Sequence, residues 1–276
     1  MKKWQVFFIE LFFFLLTLLL GIFVALELKD VLPVAENGGS EAGLSSFTFL
    51  IYFFLVTAII YFVSKKKNFE KGRDLFFKGA FLLSIGLGSL LTFSVLIHEI
   101  WALVSVLILI WIWKKKPVIL LHNLLISFSI AGVGAVVGNQ LASEIIIIFF
   151  ALFSVYDFVA VYKTKHMVKM ASEMVKSKAI IGFIIPFSSS ELLDDFGKKR
   201  KEKFMVLGGG DVAFPLFLIS ATAINYGLRE AATVTAFACV GLFGSFILFK
   251  IKKRAIPALP PIALACLLGY SIVIFF

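Results

Sequence analysis

The residues that could do chemistry in this chain are acids in apolar surroundings. Asp157 and Asp211 both lie inside hydrophobic stretches, and so does Glu10. A carboxylate placed in hydrocarbon costs about 3 kcal/mol even on lenient insertion scales, so each needs a reason to be there. Around Asp211 the sequence is doubly unfavourable. Residues 206–215 read Val-Leu-Gly-Gly-Gly-Asp-Val-Ala-Phe-Pro, and each glycine costs roughly 1 kcal/mol against alanine in a helix. Tight helix packing accounts for glycines four apart, as Gly134 and Gly138 are, but has no use for an aspartate. Two carboxylates sharing a low-dielectric site cannot both ionise easily, so the pair holds one proton between them. The ionised member can take a proton from water as it attacks a peptide carbonyl, and the protonated member can donate to the carbonyl oxygen. The same pair could instead relay protons in a transporter, and pairing alone does not choose.

The elements that must position these acids are membrane spans. With 61% hydrophobic residues and a mean hydropathy of +1.02 over 276 residues, the composition is that of a polytopic all-α membrane protein, predicted to form one membrane domain over residues 1–276. Nine apolar runs can be counted, near residues 4–28, 44–63, 79–96, 99–113, 117–138, 144–162, 204–226, 231–249 and 257–276. The third and fourth meet at His98-Glu99, read as a tight turn. The first is too long for a signal-peptide core and has no small-residue cleavage site after it, so it counts as a span. With a cytoplasmic N-terminus and nine crossings, all 27 Lys and Arg except Lys29 and Arg229 fall inside. The positive-inside rule therefore predicts nine transmembrane helices, N-terminus cytoplasmic and C-terminus extracellular, in the cell membrane. Six spans fill residues 1–162, a cytoplasmic loop 163–203, and three spans 204–276. The net charge of +10 does not point to nucleic acid, because the basic residues cluster at the ends of apolar runs. Cys239 and Cys266 have no partner spacing for a metal or a disulfide framework.

Asp157 lies six residues before Lys163, about 9 Å of helix from the cytoplasmic end of its span. Asp211 lies eight residues after Lys203, about 12 Å in from the same side if that stretch is helical. Successive antiparallel spans thus carry an acid at nearly equal depth. Glu10 is expected to snorkel towards Lys2 and Lys3 in a structural role. A third feature shares the level: Pro257-Ala258-Leu259-Pro260-Pro261 opens the last span. Its prolines hold the backbone extended, which membrane depth tolerates only beside protein or a wet cavity; the plainer reading is a proline-rich helix start. In the loop, the apolar stretch 179–187 is too short to span. It is expected either to lie on the membrane surface or to form a pairing strand.

Together these residues resemble the GxGD intramembrane aspartyl proteases, the family of presenilin and signal peptide peptidase. Tyr156-Asp157 matches the YD motif of the sixth span, Gly208-Gly209-Gly210-Asp211 the GxGD motif of the seventh, and Pro257-Ala258-Leu259 the PAL motif of the ninth. The charge distribution matches the presenilin-like orientation, and the compact loop is similar to that of prokaryotic and archaeal homologues. The resemblance implies a presenilin-like fold and a catalytic pair, Asp157 and Asp211, with no metal and no cofactor. It implies that Gly208 and Gly210 admit close backbone approach to Asp211 and substrate, and that Pro257, Ala258 and Leu259 shape the site. Tyr156 is implied to gate the site or to hydrogen-bond beside it. The substrates implied are transmembrane helical proteins, and the simpler homologues imply no obligate partner subunits and no cutting of the loop.

A substrate helix must unwind before it is cut, and its exposed amides then need partners. The stretch 179–187 is expected to supply part of the strand edge that receives them. The competing reading is a proton-coupled transporter, but such proteins often carry matching broken helices in both halves. Here the paired acids and Gly/Pro breaks fall in the second half alone. A zinc protease is excluded by Ala102, which stands where an HExxH motif starting at His98 needs histidine.

Overall fold

The computed structural model describes residues 2–31, 51, 55, 70–163, 180–195, 204–252 and 256–275. The second apolar run, 44–63, and much of the loop 163–203 therefore lie almost wholly outside the described residues. Among the described residues the chain forms eight helices and one two-stranded sheet. The helices are α1 (Lys2–Leu28), α2 (Glu70–Leu96), α3 (Glu99–Lys115), α4 (Ile119–Gln140), α5 (Ser143–Tyr162), α6 (Gly209–Asn225), α7 (Leu228–Lys252) and α8 (Leu259–Phe275). The strands β1 (Gly182–Pro186) and β2 (Phe204–Gly208) lie between α5 and α6. Five helices, α1, α2, α4, α5 and α7, contain stretches long and apolar enough to cross a membrane. The turn expected at His98-Glu99 separates α2 from α3, with His98 in the N-cap position of α3.

Helices α4 and α6 occupy the interior, and their residue types explain why. Along its inward faces α4 carries Ser127, Ser129, Ala131, Gly132, Gly134, Ala135 and Gly138, all buried. Without a hydrophobic drive between helices in lipid, close packing and interhelical hydrogen bonds must hold them together, and small residues permit both. A Cβ added to Gly138 would come 2.6 Å from the Ser220 side chain, and one added to Gly134 would meet Leu216, both on α6. The Leu216 side chain is also the neighbour of Gly21 on α1, so it is keyed between two glycine faces. On its other side α4 accepts hydroxyl donors from α2: Thr92 Oγ1 bonds the Phe128 carbonyl at 2.6 Å, and Ser89 bonds that of Leu125 at 3.4 Å.

The run 204–226 is not one helix. Phe204–Gly208 is strand, paired antiparallel with β1 from Gly182↔Gly208 to Pro186↔Phe204. The sequence Phe-Met-Val-Leu favours a pleated strand, and the glycines that follow give no propensity to extend α6 backwards. The depth of Asp211 reckoned as helix from Lys203 is therefore corrected: five residues of strand, about 16 Å at 3.3 Å each, precede the helix. Of the two expectations for 179–187, pairing is the one realised. Phe183, Ile184 and Ile185 are fully buried, so β1 is embedded in protein rather than laid on a surface.

Helix α5 is held along one narrow seam. Ser143, Ile146, Phe150, Asp157 and Ala160 are buried at helical spacing, with Phe153 stacked on Phe214 of α6 at 4.6 Å between ring centroids. Leu152, Val155, Tyr156 and Phe158 on its other faces are exposed. The seam, not the whole helix, decides where Asp157 points.

Candidate active site

Asp157 is 5% exposed and faces the start of α8. The backbone N–H of Leu259 donates to its Oδ2 at 3.3 Å. Leu259 is the first residue of α8, so this N–H is one of the helix-end donors with no intrahelical partner, and it carries the positive end of the helix dipole. Pro260 and Pro261 follow in the first turn, where a missing N–H costs nothing. The proline-rich start is thus an ordinary helix start and also the device that turns a backbone donor onto Asp157.

Asp211 lies in the first turn of α6. Gly208 is the N-cap, and the Asp211 side chain, at the third helical position, reaches back to the Gly208 N–H. This is the returning half of a capping box, with aspartate in the position where glutamate is usual. A Cβ on Gly208 would sit 3.1 Å from Asp211 Oδ2, so a side chain here would push the carboxylate aside by a few tenths of an ångström. Gly209 is buried, and its N–H donates to the Ile181 carbonyl at 3.1 Å, joining α6 to the sheet. Gly210 is exposed, and its nearest neighbour for an added Cβ is the Phe214 ring at 3.6 Å, an ordinary contact. Among these glycines the close approach to Asp211 belongs to Gly208.

Asp157 and Asp211 are near enough for their charges to act on one another. Three chain segments therefore meet here: the C-terminal third of α5, the first turn of α6 and the Pro257-Ala258-Leu259 lead into α8. Two helix N-termini are directed at two acids. Tyr156 does not join them, being 58% exposed on the outer face of α5.

Glu10 departs from expectation. It is 3% exposed, on the buried stripe of α1 with Val6, Phe13, Phe14 and Thr17, and so does not snorkel. Its Oε2 has no hydrogen-bond partner among the described residues, and the charged group it faces is Asp211. The stripe spacing of four, three and four residues could have placed it inward from sequence; the nearby lysines outweighed that signal.

Sequence reasoning also missed His122 and Asn123, both fully buried on α4. Asn123 Nδ2 donates to the Ile184 carbonyl and the Ile184 N–H donates to Asn123 Oδ1, each at 2.8 Å. His122 Nε2 lies 3.1 Å from the Gly182 carbonyl. In an antiparallel strand the N–H and C=O of one residue point to the same side. The even-numbered residues of β1 therefore turn to α4 and the odd-numbered ones to β2. Because Gly209 bonds Ile181 in the same ladder, Met205 and Leu207 face β1, while Phe204, Val206 and Gly208 present their backbone groups on the outer edge of β2. No group of three His, Cys, Asp or Glu among the described residues could hold a metal ion.

The comparisons with known proteins agree with this architecture. The chain superposes on two crystal structures of a presenilin family intramembrane aspartate protease, in the C222 and P2 space groups. The first gives a TM-score of 0.61 at 16% identity over 95% of this chain and 94% of the other. The second gives 0.60 at 17% identity over 95% of each. No curated protein matches the chain in sequence. The family profile described as signal-peptide peptidase, presenilin aspartyl protease matches residues 10–276. A mostly helical membrane fold with these structural neighbours, and a profile match over nearly its whole length, mean that the chain belongs to the signal-peptide peptidase and presenilin family of aspartyl proteases.

Proposed function

We propose that this protein is a GxGD-type intramembrane protease that hydrolyses peptide bonds of membrane-spanning substrates with Asp157, Asp211 and a water molecule. The observation that carries the reading is the meeting of Asp157, Asp211 and the Leu259 N–H where α5, α6 and α8 converge. The ionised acid removes a proton from water, whose oxygen attacks the carbonyl carbon. The protonated acid donates to the carbonyl oxygen, giving a gem-diol. Its collapse breaks the C–N bond, and the nitrogen leaves as an amine after taking up a proton. No metal enters the step. Tyr156 stands beside Asp157 on the face of α5 that an arriving helix would touch, which supports a role in admitting substrate.

The unwound substrate needs a strand to pair with, and the edge for it is β2 rather than β1. The outer edge of β1 is occupied by His122 and Asn123, and Pro186 has no N–H to offer. Phe204 and Val206 on β2 lead directly into Gly208 and Asp211, so a paired strand would run to the acids. The part that 179–187 was expected to supply is in this reading the backing: β1 pairs with β2, and β2 carries the edge. Deleting it would remove core residues Phe183, Ile184 and Ile185 and so would not test strand binding alone.

The test is cleavage of a single-span substrate by purified protein in liposomes, with Asp157→Asn and Asp211→Asn beside the wild type. Each variant should lose at least about a hundredfold in rate, the usual contribution of a positioned acid or base. The wild type should show a rate–pH profile with two limbs. Undiminished cleavage by either variant overturns the pair, and intact substrate with wild type returns the acids to the proton-relay reading.

A further inference from the structure

The side chain of Asn123 does for β1 what a neighbouring strand would do. It gives a donor to the Ile184 carbonyl and an acceptor to the Ile184 N–H, both at 2.8 Å. His122, one residue earlier, adds a bond to the Gly182 carbonyl two residues back along the strand, at 3.1 Å. The main chain beyond the strand is also tied to α4, through Ile119 N–H and the Asp194 carbonyl at 3.2 Å. The sheet has two strands of five residues each, and so small a sheet does not hold its register unaided. Helix α4 is at the same time the support of α6: Gly134 and Gly138 receive Leu216 and Ser220, whose helix carries Asp211 in its first turn. One rigid helix thus fixes both the acid and the sheet that leads to it.

We propose that Asn123 is a positioning residue for cleavage: by clamping Ile184 it fixes the register of the sheet against Asp211, and so determines which substrate bond reaches the acids. It also closes the far edge of the sheet, so that a substrate strand joins at β2 alone. This rests on the reading of β2 as the receiving edge. Asn123 does not touch the substrate; it acts through Ile184, β1 and β2. A purely structural asparagine would change how much folded enzyme there is, and every product would scale together. A register clamp changes which products form.

The experiment uses the full chain in liposomes and one single-span substrate, with product termini read by mass spectrometry. Asn123→Leu, which removes donor and acceptor together, should lower cleavage at the main wild-type bond at least tenfold. New termini displaced by one or two residues should appear, so that the product ratio shifts. Asn123→Asp, nearly the same in shape, keeps the acceptor for the Ile184 N–H and should shift the ratio less. Should Asn123→Leu fail to fold, Asn123→Asp carries the test by the same ratio. Wild-type product ratios in the variants, whatever the total rate, overturn the clamp while leaving the protease reading intact. A wild-type protein that cuts nothing overturns both.

Discussion

At Gly208 a single methyl group would intrude on the chemistry. It would lie 3.1 Å from Asp211 Oδ2, and it cannot yield, being fixed to the backbone at a helix cap. The carboxylate must move, and its return bond to the Gly208 N–H with it. Gly208→Ala is expected to lower cleavage at least tenfold, with melting changed only by the modest cap preference of glycine over alanine, under about 1 kcal/mol. Gly210→Ala meets nothing closer than 3.6 Å and gains helix propensity, so it should keep cleavage and gain up to about 1 kcal/mol. The two alanines thus separate the glycine that chemistry requires from the one that the structure tolerates losing; equal losses in both would overturn the assignment. Glu10 makes a parallel contrast. It is buried and faces Asp211, but a one-proton pair has no use for a third carboxyl. Glu10→Gln should keep the cleavage rate within about tenfold of wild type, whereas the Asp157 and Asp211 amides lose at least about a hundredfold. A loss in Glu10→Gln equal to theirs would make it a third member of the site.

At the scale of elements, the sheet gives the site a periodicity that can be tested from the substrate side. A strand paired to the outer edge of β2 points alternate residues at the enzyme backbone and the intervening ones away. Proline placed singly along the substrate near the cut bond should abolish cleavage at every second position and spare those between, since it removes an N–H from the ladder only where that N–H is used. A smooth fall with distance, without period two, would remove strand addition from the mechanism. This element was also the hardest to read from sequence. The helices were legible because long apolar runs bounded by lysines have one explanation in a membrane, and the boundaries of α3, α5 and α7 fall close to those runs. The acids and Pro257–Leu259 were legible because they break the rules of their surroundings. Residues 204–208 break none: an apolar stretch after a basic cluster reads as the start of a span, and only pairing with a segment some twenty residues earlier makes it a strand. Asn123 was missed for a related reason. A single amide in an apolar helix has no signature of its partner, which here is a backbone group.

For the whole molecule, the question is which end of the bundle holds the acids, and the aromatic residues bear on it with the charges. Lys115 lies 3.8 Å from the Trp111 ring centroid, Lys250 4.8 Å from that of Trp4, and Lys252 5.4 Å from that of Tyr162. These pairs come from the end of α3, the start of α1, the end of α5 and the end of α7, which alternation places on one side. Lysines with indole and phenol rings are the residues of a membrane–water boundary, and the positive-inside rule predicts that this basic one is cytoplasmic. In the nine-span plan helix α6 is the decisive crossing. At 17 residues it is only about 26 Å long, short of a hydrocarbon core of about 30 Å. That plan requires the extended strand β2 to cover the remainder, and it then predicts Asp211 below the surface at a helix start. Two exposed positions flank this crossing: Ser190 before β2, and Arg229 just after the turn at Gly227, whose φ of +115° suits glycine. With Cys239 and Cys266 replaced by alanine, a membrane-impermeant maleimide added to sealed, right-side-out vesicles should label Arg229→Cys at once. Ser190→Cys should react only after permeabilisation. The reverse pattern would invert the orientation and move the acids to the outer leaflet. Labelling of both from outside would mean that the strand and α6 together do not cross, and the nine-span plan would fail with them.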